Sequence, residues 1–264
     1  MEQHQRFVTF NLDGFNHVDQ MVNTLLGETI TYMNKIACIT PERYSKMSGG
    51  DVEILSLQSL KEIAPSINFP KERIELISGH VFPDILLHET SYGVEIKSTQ
   101  KDAWTSTGSS IVESTRDKKT DRIYMLFAKL GGHPEFRCKP YQLCLSNIAV
   151  THSPRYLIDM NLSSNNNIFA KMNTDYEIFR QLDEGKKISC VRQYYIKKAK
   201  EEKKYEMPWW MGETTNVNLS FYNDLQASEK NILQAKACIL FRSLYQKDTK
   251  NRYKPISLWL CNYY

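Results

Sequence analysis

The chain has 264 residues and a mass of 30.8 kDa, so it is long enough for one large domain with a sizeable core. Hydrophobic residues make up 41% of it and charged residues 24%, which excludes a collagen-like, coiled-coil or mostly disordered chain. No run approaches about 18 consecutive apolar residues, and the first residues lack the apolar core of a secretory signal. We therefore expect a cytoplasmic protein with no membrane partner.

The net charge of +4 is made of two opposite parts. Residues 1–100 contain 8 lysines and arginines against 13 acidic residues, a net charge of −5. Residues 101–264 contain 26 lysines and arginines against 17 acidic residues, a net charge of +9. This division favours a metal-binding region in the first part and a polyanion as the partner of the second.

Residues 1–78 are predicted to form a helical N-terminal part. Apolar residues at three- and four-residue steps predict an amphipathic helix over about 14–35. Pro41 begins a second, polar segment, and a short helix is predicted over 52–63.

Residues 79–150 are predicted to form an α/β core. In chain order, the predicted elements are a strand over 81–87, a strand over 94–97, a helix over 109–119, a strand over 122–129 and a strand over 141–150. This succession is typical of an α/β fold with a mixed central β-sheet flanked by helices.

Residues 151–264 are predicted to be mostly helical, with helices over 175–182, 191–204 and 228–244. We interpret the whole chain, 1–264, as a single domain.

The residues with the clearest chemistry are Asp84, Glu95 and Lys97. Because residues i and i+2 of a strand face the same side, Glu95 and Lys97 project together while Ile96 points to the core. A turn before Glu95 can bring Asp84 alongside it. Two carboxylates and the backbone carbonyl of Ile96 make a hard oxygen site that suits Mg²⁺, and a lysine beside them can orient a water and stabilise charge on a phosphate.

Apolar residues flank both halves of this pattern, and charges are costly to bury at such positions unless a metal or a partner compensates them. The alternative is an exposed Glu95–Lys97 ion pair on a hairpin.

The segments Gly79-His80-Val81-Phe82-Pro83-Asp84 and Gly93-Val94-Glu95-Ile96-Lys97-Ser98-Thr99 resemble the active-site motif of the PD-(D/E)XK nuclease superfamily, and more narrowly that of type II restriction endonucleases. The resemblance implies a restriction-endonuclease-like core, Mg²⁺-dependent hydrolysis of double-stranded DNA that leaves 5′-phosphates, a homodimer and a companion DNA methyltransferase. It also implies that Asp84 and Glu95 hold the metal and that Lys97 assists the water.

Many members of this superfamily add an acidic residue from an N-terminal helix near the metal. Glu28, on the predicted amphipathic helix, is our first candidate for this role and Glu53 is the second. The alternative for either residue is a solvated charge on a helix face.

The polar stretch after the motif is a candidate DNA contact, because hydroxyls, lysines and helix N-termini are common phosphate ligands. The region after the motif lysine commonly lies against DNA in this superfamily. The predicted contacts are Lys101, Trp104, Ser109, Ser110, Arg116 and Lys119. The alternatives are an ordinary capped surface helix and, for Trp104, a place in the core.

The leading hypothesis is a type II restriction endonuclease whose target sequence is read by side chains of the basic part, 101–264. Within it, the mostly helical part over 151–264 would bind DNA, dimerise or both. A structure-specific or repair nuclease of the same superfamily is the second. A non-catalytic DNA-binding protein of the same fold is the third. Loss of a motif residue would be the expected signature of the third hypothesis, and all three motif residues are present.

Overall fold

The structure is a computed structural model that describes residues 5–77, 79, 81–150, 154–201 and 226–240. The chain divides into two compact units, 1–187 and 188–264. The first unit contains both sheets. The described part of the second consists of the end of one helix and a further helix.

Helices are concentrated at the two ends of the described chain. They are, in chain order, α1 (His17–Ile39), α2 (Pro41–Tyr44), α3 (Gly49–Ile63), α4 (Ile168–Met172), α5 (Tyr176–Gln181), α6 (Glu184–Glu201) and α7 (Ala227–Leu240). The predicted helices over 14–35, 52–63 and 175–182 are confirmed. Those over 191–204 and 228–244 correspond to α6 and α7, and their last residues lie outside the described part.

The strands lie between these helices. They are β1 (Ile74–Leu76), β2 (Ile85–Leu87), β3 (Tyr92–Thr99), β4 (Thr105–Ser110), β5 (Arg122–Lys129), β6 (Glu135–Pro140), β7 (Leu145–Val150) and β8 (Pro154–Asp159). They form a five-stranded sheet in the order β1-β2-β3-β5-β6 and a three-stranded sheet in the order β4-β8-β7.

The five-stranded sheet is mixed, because β3 and β5 pair in parallel and its other pairs are antiparallel. The predicted α/β class with a mixed sheet and flanking helices is therefore confirmed. The segment that connects β3 to β5 contains β4, which pairs with β8 in the smaller sheet.

One face of the five-stranded sheet packs against α1 and α3 to form the main core. The strands contribute Val94, Ile96, Tyr124, Leu126, Ala128, Phe136 and Cys138, and the helices contribute Val22, Leu25, Leu26, Ile30, Met33, Val52 and Leu60. By the alternation of side chains along a strand, Glu95, Lys97, Phe127 and Arg137 project from the opposite face.

The start of α1 is fixed by a reciprocal cap. The Asn16 side chain accepts a hydrogen bond from the Asp19 backbone, and the Asp19 carboxylate accepts one from the Asn16 backbone at 3.0 Å. The Asp19 carboxylate also accepts hydrogen bonds from the Tyr92 hydroxyl and from Arg122, both at 2.7 Å. The beginning of α1 is therefore tied to the beginnings of β3 and β5.

The N-terminal segment covers part of the β6 edge. Phe7 forms a parallel bridge with Cys138, and the Val8 N–H donates to the Cys138 carbonyl oxygen at 3.0 Å.

The predicted helix over 109–119 is wrong. Residues 105–110 form β4, and a loop over 111–121 follows it. Threonine and serine favour strands and turns over helix interiors, which accounts for the difference. The strand predicted over 141–150 begins only at Leu145, after a short 3-10 turn, and β1, β4, β6 and β8 were not predicted.

Within the described residues, the structure contains no helix long and apolar enough to cross a membrane.

Candidate active site

The register of β2 on β3 brings Asp84 to Glu95. Ile85 pairs with Val94 in this antiparallel pair. One step further along both strands, Asp84 comes opposite Glu95. A turn joins the two strands as predicted, but it covers 88–91 and not 88–93, because β3 already begins at Tyr92. β2 is also shorter than the predicted strand over 81–87.

The Asp84 side chain takes the place of a missing strand partner. Its Oδ2 atom accepts a hydrogen bond from the Ile96 N–H at 2.7 Å, just beyond the last paired residue of β2. This bond satisfies a backbone donor and holds the carboxylate against β3.

Glu95 and Lys97 form an ion pair beside Asp84. The Lys97 Nζ atom lies 2.7 Å from Glu95 Oε1, and the side chain of Glu95 is only 5% exposed against 29% for Lys97. Glu95 is therefore buried, and the alternative of an exposed pair on a hairpin does not describe it. Lys97 is partly accessible and can reach solvent or a ligand.

The two side chains shift each other's pKa. Burial raises the pKa of Glu95 to about 7, Lys97 opposes this rise and the neighbouring Asp84 adds to it. Burial disfavours the charge on Lys97, but Glu95 and Asp84 outweigh it, so the pKa of Lys97 is raised. The lysine is held in its charged form by the carboxylates around it.

Glu53 joins this group from α3. Burial, and then the charge of Asp84, raise the pKa of Glu53, while Lys97 lowers it. The beginning of α3 is anchored near the end of β3, because the Gln100 side chain donates to the Met47 carbonyl oxygen at 2.5 Å.

Glu28 is exposed on α1. Of the two acidic residues proposed from the N-terminal helices, Glu53 is therefore the one that interacts with Asp84 and Lys97.

The predicted DNA contacts occupy different environments. Lys101 and Lys119 are exposed. Ser109 and Ser110 lie in β4 and not at a helix N-terminus. The Ser109 hydroxyl is 2.5 Å from the Tyr141 hydroxyl, and Ser110 Oγ accepts from the Val112 N–H at 3.2 Å. The two lysines are accessible to a ligand, and their contact with DNA stays a prediction.

Trp104 is buried, with 9% of its surface exposed. Its ring centroid lies 5.8 Å from that of Phe127, and the Arg137 guanidinium lies 3.8 Å from the Trp104 centroid. The contact with the Phe127 ring and the cation–π contact with Arg137 make Trp104 part of the packing over the sheet, which is the alternative that the sequence left open.

Arg116 is also engaged inside the protein. Its side chain is 10% exposed and lies 2.9 Å from the Glu113 carboxylate. It also donates to the Tyr176 hydroxyl at 2.8 Å and to the Asp121 carbonyl oxygen at 2.9 Å. With its donors used in this way, Arg116 has a structural environment and not that of a phosphate contact.

The sequence did not single out Glu113, Tyr141 or Tyr176. The Glu113–Arg116 spacing was assigned to a helix, and no local pattern indicates that Tyr176, 60 positions after Arg116, would join them. Contacts of this kind depend on the fold.

The oxygen ligands available at this site are those of Asp84, Glu95 and the Ile96 carbonyl. Among the described residues, no group of three or more His, Cys, Asp or Glu side chains is arranged to hold a metal ion. The set of candidate ligands on β3 and just before β2 is smaller, with two carboxylates and one backbone oxygen.

Comparison of the chain with protein-family models, with curated proteins and with solved structures found no match in any of the three.

Proposed function

We propose that this protein is a type II restriction endonuclease of the PD-(D/E)XK superfamily. It would hydrolyse phosphodiester bonds in double-stranded DNA at a specific site, with Mg²⁺, and leave 5′-phosphates.

The observation that carries the proposal is the meeting of Asp84, Glu95 and Lys97 at one place on the sheet. Asp84 is held by the Ile96 N–H at 2.7 Å, and Lys97 lies 2.7 Å from Glu95. A buried carboxylate with a raised pKa, beside a second carboxylate and a lysine, is characteristic of catalytic sites and costly as plain structure.

The donor set fits Mg²⁺. Hard divalent cations prefer carboxylate and carbonyl oxygens, and Mg²⁺ is often held by one or two carboxylates with several waters retained. Asp84, Glu95 and the Ile96 carbonyl would hold the ion, whose charge would offset the repulsion between the carboxylates. When bound, Mg²⁺ would supply Lewis-acid stabilisation of the negative charge that builds up on the phosphate.

Lys97 has two tasks in this proposal. Its ammonium group, held charged by Glu95 and Asp84, donates hydrogen bonds to the attacking water and to a phosphate oxygen. The water oxygen forms the new bond to phosphorus and the bond from phosphorus to the 3′ oxygen breaks. The 3′ oxygen ends with the proton that balances the reaction.

The test is incubation of the protein with phage DNA and Mg²⁺, with Asp84→Asn as the matched inactive variant. Discrete fragments from the wild type and intact DNA from Asp84→Asn are expected. A smear would indicate a nuclease without sequence specificity. Uncut DNA that is still bound in a filter assay would favour a non-catalytic DNA-binding protein.

The proposal includes the partners that such an enzyme needs. DNA would be bound by the basic part, 101–264, where Lys101 and Lys119 are exposed. A homodimer is proposed because cutting both strands at a symmetric site calls for two active sites. Sedimentation with and without DNA and Ca²⁺ tests the dimer, and a neighbouring methyltransferase gene would support the restriction role.

A further inference from the structure

The loop over 111–121 forms backbone hydrogen bonds with the segment just before Asp84. Phe82 forms an isolated parallel bridge with Arg116. The Phe82 N–H donates to the Thr115 carbonyl oxygen at 3.1 Å, and the Asp117 N–H donates to the Phe82 carbonyl oxygen at 2.8 Å. The backbone two residues before Asp84 is therefore fixed by this loop.

The loop is in turn locked by the side chain of Arg116. Its guanidinium bonds Glu113, the Tyr176 hydroxyl and the carbonyl oxygens of Thr120 and Asp121. The same group lies 5.7 Å from the centroid of the Phe82 ring. One side chain thus joins both ends of the loop and the residue that the loop holds.

Glu113 is the carboxylate partner of Arg116 and has a left-handed backbone conformation. It is buried, its backbone has a φ of 51°, and its carboxylate accepts a hydrogen bond from the Tyr176 hydroxyl at 3.0 Å. The further hydrogen bonds of the buried Arg116–Glu113 pair restrict its geometry, and breaking a buried ion pair is costly. The loop can therefore hold Phe82 rigidly.

We propose that Arg116 and Glu113 are positioning residues for the reaction proposed above, and the inference rests on that function. They lock the loop over 111–121, which holds Phe82 and thereby sets the Asp84 carboxylate against the Ile96 N–H and Glu95. Catalytic groups must be placed to within about 0.5 Å of their working positions. Mutation of a group that orients a metal ligand typically lowers metal affinity by about 10- to 100-fold.

A second cluster in the same unit also joins an arginine, a carboxylate and a tyrosine, and it provides the control. Arg122 donates to the Asp19 carboxylate at 2.7 Å and to the Tyr92 hydroxyl at 3.0 Å. This cluster ties α1 to the starts of β3 and β5, whereas the Arg116 cluster holds the segment before Asp84.

The experiment compares Arg116→Lys and Glu113→Gln with Arg122→Lys in the full chain. Lysine keeps the charge but loses the planar fork of donors, and glutamine keeps the shape of glutamate without its charge. The first measurement is amide hydrogen exchange by NMR at Ile96, relative to Leu126 in the same sheet, without metal. The second is binding of Mn²⁺ alone, followed by electron paramagnetic resonance.

In the Arg116 and Glu113 variants we expect exchange at Ile96 to become roughly tenfold faster relative to Leu126. We expect the Mn²⁺ dissociation constant to rise about tenfold or more. Arg122→Lys should leave both readouts close to those of the wild type. If one of the first two variants does not fold, the other decides the question.

Two results would overturn different statements. A variant of Arg116 or Glu113 that keeps both the Ile96-to-Leu126 exchange ratio and the Mn²⁺ affinity of the wild type would overturn the positioning role. A wild-type protein that binds no Mn²⁺ would overturn the proposed metal-dependent function, and exchange at Ile96 would still decide the positioning role.

Discussion

Gly93 lies directly against the Pro83 ring. A methyl group built on Gly93 would overlap Pro83 Cγ and come within 3.1 Å of the Ile85 carbonyl oxygen. Asp84 is the residue between these two neighbours. The absence of a side chain at Gly93 thus allows the segment with Asp84 to lie flat on β3.

Gly93→Ala is therefore expected to displace Pro83 and separate Asp84 from Ile96. We expect a loss of about 1–3 kcal/mol in the free energy of unfolding, as is usual for overpacking, together with loss of DNA cleavage. Urea denaturation and a cleavage assay measure the two effects. Gly14→Ala is the control because, apart from its chain neighbours, no atom of the described residues lies within 4 Å of its added methyl group. Normal cleavage by Gly93→Ala would contradict the prediction.

Glu53→Gln is expected to reduce the rate of cleavage, because Glu53 interacts with Asp84 and Lys97 across the site. We expect a drop of about tenfold or more in kcat/KM at fixed Mg²⁺, with normal folding. Glu28→Gln changes an exposed glutamate on α1 and should leave the rate unchanged. If a cleavage time course showed slower cleavage by Glu28→Gln than by Glu53→Gln, Glu28 would be the acidic residue that assists the reaction.

Lys97→Met is expected to lower kcat about 100-fold or more, which is the usual effect of removing a donor that stabilises transition-state charge. Methionine keeps most of the length of the side chain, so the fold should persist by circular dichroism. Lys101→Met removes a nearby exposed lysine and should mainly weaken DNA binding in a salt-dependent way. Cleavage by Lys97→Met at the wild-type rate would refute the role assigned to Lys97.

Trp104→Ala is expected to destabilise the protein by about 3–5 kcal/mol. It removes a buried ring that packs on Phe127 and makes a cation–π contact with Arg137. Trp104→Phe keeps an aromatic ring and should cost less. Thermal unfolding gives the comparison. If Trp104→Ala kept its stability and lost only DNA affinity, Trp104 would be a DNA contact after all.

Asp19→Asn tests the effect of pH on stability. Burial opposes ionisation of Asp19, but bonds from Tyr92 and the Asn16 backbone and the charge of Arg122 outweigh it, so the pKa is lowered. A lowered pKa in the folded state stabilises the protein above the unfolded pKa, and this contribution is lost as the pH falls through the folded value. The wild type should therefore be more stable than Asp19→Asn at pH 7, and the difference should shrink below about pH 4.

Chemical denaturation from about pH 7 to pH 3 measures this difference. Asp13→Asn, which changes an exposed aspartate, is the control. A difference between wild type and Asp19→Asn that stays constant over the range would contradict the assigned ion pair.

The parts of the fold that the sequence predicted are those with strong local patterns. The apolar periodicity of α1 and the apolar run of β5 survive in the structure because both elements bury continuous surfaces. The i, i+2 spacing of Glu95 and Lys97 also predicted correctly that the two side chains meet.

The parts that the sequence missed depend on partners far away in the chain. β4 consists of serines, threonines and a glycine, and it is a strand because β8 pairs with it. For the same reason, Arg116 was assigned to a DNA surface, whereas its environment includes Tyr176 from α5.

The connection between the parallel strands β3 and β5 has a consequence for folding. That connection includes β4, so the crossover of the larger sheet supplies an edge strand to the smaller sheet. When β5 pairs with β3, the position of β4 in the connecting segment is restricted. When β4 pairs with β8, the same connecting segment is restrained, so the formation of the two sheets is coupled. A nascent chain whose β8 has not yet left the ribosome would therefore contain β3 in an incompletely closed fold, and the Asp84–Ile96 contact would be secured late in synthesis.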